Sequence, residues 1–410
     1  MVQESRNPAC HRSATPDGRC LRARAGQSWG NFLTDGAHMN PIDILTSSDY
    51  VKQPGFDLLI GGRQIIALNH RLLSLSLTDN RGFEADTLEL AIDDTDGKIE
   101  LPPRGAEIVV RIGWQGEPLI EKGVFVVDEI SHGGPPDRLE ITARSADFRE
   151  EFNIKREYSW HDVTVGDVVS AIAGRYNLQP AVSRQLMEID IDHADQTNES
   201  DISFLSRMAE MLGAIATIKN GNLLFIIPGR GVSQSGKMLP VITIHRDSGD
   251  RHSFRMADRA AYTGVKAHWL DLNFGKQPAT TLKRKRKKPR KKKQEKSSRR
   301  EGEYLEGADG NVYVMRQTFK TERTARRAAA AKWATLQRGA AEFSITLARG
   351  RADLYPDLTA SVVGFKTAID SHQWTISRVV HNLSESGFTT QLELELKIKD
   401  TDMTESEQNQ

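Results

Sequence analysis

The chain has 410 residues, 38% hydrophobic and 27% charged, which leaves room for two to four domains with buried cores. No apolar run approaches the ~20 residues of a membrane-spanning helix, and two cysteines cannot make a disulfide scaffold. The net charge of +1 conceals two unlike parts: Lys283 to Arg300 holds thirteen Lys/Arg and one Glu, a net of +12, so the other 392 residues carry −11.

Residues 1–38 show no sustained apolar period. They contain Cys10, Cys20 and five arginines, with Glu4, Asp17 and Asp35 interspersed. The apolar core of a secretory signal is missing, the acids argue against a mitochondrial targeting peptide, and no His or Cys stands at zinc spacing from the two cysteines. The stretch reads as a disordered extension, or as sequence upstream of a start at Met39.

From Phe56 to Arg149 the pattern is β. Leu73 to Thr78 and Leu88 to Ile92 alternate strictly, and Phe56 to Ile60, Ile108 to Ile112, Gly123 to Val127 and Leu139 to Ala143 continue the series. Strands at this spacing, separated by Gly, Pro and Asp, predict a small β-barrel-like domain over 55–150. Asp93-Asp94-Thr95-Asp96-Gly97 fails as a calcium loop. With Gly97 at loop position 6, positions 1 and 12 fall on Ile92 and Pro103. A hairpin turn at Asp96-Gly97 is expected instead.

An α/β middle domain is predicted over 151–213. Thr164 caps a helix with Val165, Val168, Val169, Ile172 and Ala173 on one face. Ser200 caps a second, whose stripe is Ile202, Leu205, Met208, Ala209 and Leu212, and Gly213 ends it. Asp190, Asp192, His193 and Asp195 read as a solvated loop before this helix, with metal binding as the competing reading. Asn220-Gly221 between two apolar runs predicts a hairpin. A second barrel-like domain is expected from 214–274 and 311–399, with strands at Val241 to His245, Tyr262 to Trp269, Val312 to Phe319, Ala341 to Leu347, Gln373 to Val380 and Phe388 to Ile398. Within it Thr321 caps an Ala- and Arg-rich helix running to about Gln337. Residues 400–410 read as a frayed tail. The fold class is therefore mainly β: two barrel-like domains, an α/β middle segment, and a helix in the C-terminal half.

The basic run comprises Lys283, Arg284, Lys285, Arg286, Lys287, Lys288, Arg290, Lys291, Lys292 and Lys293, then Lys296, Arg299 and Arg300. Like charges at this density repel and bury nothing, so 275–310 is expected to be a disordered insertion. Such a run can neutralise nucleic-acid phosphates, tether an acidic protein surface, address a nucleus, or stay solvated. It contains no aromatic residue to stack bases; the nearest are Phe274 and Tyr304.

No catalytic motif is found: no nucleophile elbow, metalloprotease helix, phosphate loop or dinucleotide fingerprint. His381 reads as a satisfied polar side chain, not a base. No cofactor and no metal site is expected.

Several stretches resemble the late control D protein family of contractile-tailed phages. They are Ser76 to Asp86, Leu101 to Gly105, Ala143 to Phe148, Tyr158 to Asp162, Asp195 to Asp201, Leu336 to Phe343 and Ser386 to Thr390. Glu199 to Arg207 is also similar to the hub part of type VI secretion spike proteins. The resemblance implies a structural baseplate hub of a phage tail or phage-tail-like bacteriocin, not an enzyme. Its partners would be copies of itself in a homotrimer, the central spike, the tail tube, baseplate wedge proteins and the tape measure. The implied role is to join a six-fold tube to a three-fold spike. Asn198, Glu199, Ser200, Asp201, Phe204, Leu205 and Arg207 carry the motif and are expected to be structural. A nucleic-acid-binding regulator acting through 283–300 is the alternative.

Overall fold

The alternation read along the sequence becomes a ladder of paired strands in a computed structural model. It describes residues 52–64, 70–145, 150–231, 237–256, 262–269 and 311–397, and the backbone of 279–284 and 403–405. The stretch 1–38 and most of the basic run lie outside the described residues.

The first body is built from β1 (Pro54–Ile60), β2 (Arg63–Gln64), β3 (Leu72–Asn80), β4 (Thr87–Asp93), β5 (Glu107–Trp114), β6 (Ile120–Gly133) and β7 (Arg138–Ser145). Every second residue faces inward. Leu75, Leu77, Leu88, Leu90, Ile108, Val110, Phe125, Leu139 and Ile141 meet in one core, which a flat sheet could not bring about. The Asp94–Gly97 turn is present, with the Gly97 N–H donating to the Asp94 carbonyl at 2.8 Å. It is not a hairpin turn, because β4 pairs with β3 and β7 and β5 with β1 and β6.

The middle body contains β8 (Lys155–Thr164), α1 (Val165–Arg175), β9 (Gln179–Val182), α2 (Arg184–Met187), β10 (Asp190–Ser200), α3 (Asp201–Leu212), β11 (Ile215–Lys219) and β12 (Asn222–Ile226). Thr164 forms a reciprocal capping box with Asp167, Ser200 caps α3, and Gly213 closes it at φ 65°. The predicted Asn220-Gly221 hairpin forms, both residues at positive φ. It does not belong to the second barrel, as the boundary after Gly213 would require. β12 pairs in parallel with β9, and Ile218, Leu223 and Phe225 pack against α1 and α3. Asp190–Asp195 is likewise not a loop. It is the first half of β10, which pairs with β8 as a two-stranded ribbon.

The rest of the chain forms two bodies where one was expected. β13 (Val241–His245) and β14 (Gly249–Met256) join β18 (Ala341–Leu347), β19 (Thr359–Val363), β20 (Gln373–Ser384) and β21 (Gly387–Leu396) around Phe343, Ile345, Trp374, Ile376, Leu392 and Leu394. A short helix, α5 (Thr367–Asp370), links β19 to β20. Separately, β15 (Gly264–Trp269), β16 (Ala279–Arg284), β17 (Val312–Phe319) and β22 (Met403–Glu405) form a four-stranded sheet covered by α4 (Glu322–Arg338). β15 and β17 pair in parallel with each other, in a sheet that shares no strand with the barrel among the described residues. Alanines 325 and 329 of α4 let the helix lie close on Val265 and Ala267, with Trp333 closing the end. Ala279–Arg284 falls inside the range read as a disordered insertion, yet its backbone is a strand between β15 and β22.

β20 joins the barrel-like bodies. Thr375 and Trp374 pair with β19, Arg378 to Ser384 pair with β3, and β21 lies along the other edge. One continuous 13-stranded sheet results, and β20 sends Trp374 into one core and Leu383 into the other.

Candidate functional site: the motif and the joints between bodies

The motif residues gather at the start of α3. Asn198 occupies φ 49° at a register shift in β10, a conformation asparagine tolerates well. This bulge turns the chain so that Glu199 accepts from Arg207 at 2.7 Å and Ser200 accepts from the Ser203 amide. Arg207 pulls the Glu199 carboxyl below its ordinary pKa. Asp201 is completely buried and accepts from the Tyr176 hydroxyl at 2.6 Å, Arg175 Nη1 at 2.8 Å and Gln196 Nε2 at 2.8 Å. Burial alone would raise its pKa; the bonds from Tyr176, Gln196 and Arg175 outweigh it and hold it low. Phe204 and Leu205 lie in the middle core, and Arg207 stacks over the Phe204 ring at 5.2 Å. The motif thus locks β8, β10, α1 and α3 together.

A second set of charged residues sits where bodies meet. Lys219 of β11 reaches into the first barrel, donating to Asp79 at 2.8 Å and to Asp86. Burial opposes its charge, but the two carboxylates prevail and raise its pKa. Burial, helped by Asp79, pushes the Asp86 carboxyl up, and Lys219 offsets this only in part. Thr217 of the same strand donates to the Gly82 carbonyl. Between the two barrels, Arg81 pairs with Glu395 at 2.5 Å and lies 3.8 Å from Asp357, while Arg338 of α4 approaches Glu395 at 3.6 Å. Burial drives Asp357 up to about 6 despite Arg81.

Neutral contacts complete this joint. Trp114 Nε1 donates to the Gly350 carbonyl at 2.9 Å, and Lys122 Nζ to the Leu354 carbonyl at 2.9 Å. Burial lowers the Lys122 pKa to about 8. Gly350 has no room for a side chain, since a Cβ there would lie 2.4 Å from the Phe388 ring. Beside these contacts runs a cleft of about 500 Å³, lined by Trp114, Glu117, Asp247, Arg349, Arg351 and Asp353.

The sequence named the motif but not the joints. Arg81, Asp86 and Arg338 lay within stretches that carry the family resemblance, so a signal was present without a role attached. Of the basic residues, Lys283 and Arg284 lie on the backbone of β16; Lys285, Arg286, Lys287, Lys288, Arg290, Lys291, Lys292 and Lys293 lie outside the described residues. His381 is buried on β20, its Nδ1 3.0 Å from Thr390 Oγ1. Among the described residues no three metal-ligating side chains converge, and no helix is long and apolar enough to cross a membrane.

Comparison with known proteins places the chain among phage tail proteins. The family profile described as phage tail baseplate hub matches residues 87–387. The probable baseplate hub protein of Escherichia phage 186 is 48% identical over 367 residues, covering 85% of this chain and 94% of the relative. That of Escherichia phage P2 is 47% identical over 379 residues, covering 88% and 98%. Among solved structures, the 43 kDa tail protein of prophage MuSo2 from Shewanella oneidensis superposes with a TM-score of 0.58 at 13% identity. It covers 83% of this chain and 98% of that one. Nothing in these matches supports a nucleic-acid-binding regulator. The chain belongs to the phage tail baseplate hub family and is a structural component of the virion tail.

Proposed function

We propose that three copies of this chain close into a ring that joins a six-fold tail tube to a three-fold central spike. Each copy contributes two barrel-like bodies, so a ring of three presents six similar β-bodies to the tube and repeats three-fold toward the spike. The supporting observation is β20, which pairs with both β3 and β19 and fuses the two bodies through backbone hydrogen bonds. An adaptor must hold its two faces at fixed spacing, and a shared strand does this better than a linker. The charged joints at Arg81–Glu395 and Lys219–Asp86 brace the same geometry.

In this reading the chain is not an enzyme and needs no cofactor. Its partners are the spike, the tube, the baseplate wedges and the tape measure protein. Light scattering on the protein co-purified with its spike should give three hub copies per spike trimer. A mixture that stays at one hub copy at micromolar concentration would end the ring reading.

A further inference from the structure

We propose that the exposed face of the β8–β10 ribbon binds a late first-row divalent cation of the zinc class through the imidazoles of His161 and His193. The site is independent of the ring reading. His193 stands directly opposite His161 in the antiparallel register. The two Nδ1 atoms are 3.1 Å apart and the ring centroids 4.6 Å. Both rings are exposed, so a solvated ion can reach them.

The neighbours prepare one nitrogen for metal. Asp195 Oδ2 lies 2.9 Å from His193 Nε2, and Ser159 Oγ donates to Asp195 Oδ1 at 2.7 Å. The carboxylate holds the ring proton on Nε2 and leaves the Nδ1 lone pair directed at His161. This is the carboxylate–histidine–metal arrangement that orients imidazole ligands and raises their basicity. Without a metal, the two Nδ1 atoms can share only a single proton between them.

The spacing suits a small ion. Two nitrogens each ~2.0 to 2.1 Å from a tetrahedral zinc lie about 3.3 to 3.4 Å apart. The observed 3.1 Å needs an opening of a few tenths of an ångström, well within the freedom of exposed rings. No third ligand converges among the described residues, so water completes the coordination and the affinity is moderate. Paired imidazole nitrogens favour zinc, nickel or copper over magnesium and calcium, which take oxygen ligands. The bound ion would staple two strands that belong to no larger sheet.

Calorimetric titration of zinc chloride into the full-length protein, free of any histidine tag and stripped with chelator, tests the site. Wild type should bind one equivalent, and magnesium chloride should give no signal. His161→Ala and His193→Ala should each abolish binding. Asp195→Asn, which keeps the hydrogen bond but loses the charge, should weaken it about ten-fold or more. Wild type that binds no zinc, or a double H161A/H193A variant that binds like wild type, overturns the proposal. If circular dichroism shows the variants unfolded, histidine side-chain NMR on wild type decides. Zinc should shift two imidazoles and leave buried His381 unmoved, and an unshifted spectrum overturns the site.

Discussion

Arg81 and Glu395 meet at 2.5 Å although 314 residues separate them in the chain. One sits just past the end of β3 in the first barrel, the other on β21 in the second. Asp357 and Arg338 stand within 4 Å of this pair, so the joint is a four-residue charge network rather than an isolated bridge. Removing Arg81 takes a partner from both Glu395 and Asp357, and only Arg338, at 3.6 Å, still stands beside Glu395. Arg81→Ala is expected to cost about 3 kcal/mol, in line with other broken buried pairs. A double-mutant cycle with Glu395→Ala, read by urea unfolding, should show a coupling of about 1 to 3 kcal/mol. Additive single effects would mean that the two residues do not act together.

The motif makes a sharper demand on the middle body. Phe204 and Leu205 are at most 1% exposed. Phe204→Ala should cost about 3 to 5 kcal/mol and Leu205→Ala about 2 to 5. Unchanged melting temperatures for both would contradict the packing of α3.

Gly350 tests the fit between barrels by addition instead of deletion. Its Cβ would meet the Phe388 ring, and Phe388 belongs to the first core while lying on β21 of the second body. Gly350→Ala should destabilise by about 1 to 3 kcal/mol, the range for overpacking. Phe388→Leu in the same chain should recover part of that loss. Recovery would be seen as a double variant that melts above the sum of its singles.

Asp357 gives the protein a pH signature. Its pKa rises from the ordinary 3.8 to about 6 because burial disfavours the charged form. Below about pH 4 the carboxyl is protonated in both folded and unfolded chains, and no penalty is felt. Between about pH 4 and 6 the unfolded chain ionises first, so stability from this group falls as pH rises, by up to about 3 kcal/mol. Asp357→Asn tolerates the same φ of 71° and should flatten this slope. Urea midpoints from pH 4 to 7 should converge at the acid end, with the variant equal or more stable at pH 7. A wild-type advantage that grows with pH would reverse the sign and refute the assignment.

Local rules were readable in the residues, long-range partnerships were not. Thr164, Ser200, Gly213 and Asn220-Gly221 act within four residues of themselves, and each cap and turn forms where its side chains demand. β8 and β10 carry no local strand signal, because Lys-Arg-Glu-Tyr-Ser-Trp-His-Asp of β8 and Asp-Ile-Asp-His-Ala-Asp-Gln of β10 place polar residues on both faces. β14, Gly-Asp-Arg-His-Ser-Phe-Arg-Met, is a wet edge strand and lacks an apolar period for the same reason. The sheet joint needs Leu77 opposite His381, and no local pattern carries that register. The candidate site divides the same way. Glu199 and Arg207 lie eight residues apart on either side of the Ser200 cap and are legible as a motif, whereas Lys219 finds Asp86 only after folding.

The shared strand β20 also decides how the protein yields to force. A pull that separates the barrels along the strand direction must shear all of the bonds between β20 and β3 together, whereas a sideways pull would peel them one at a time. The joint between the two bodies is therefore stiffest to a load directed along β20 and most compliant to one directed across it.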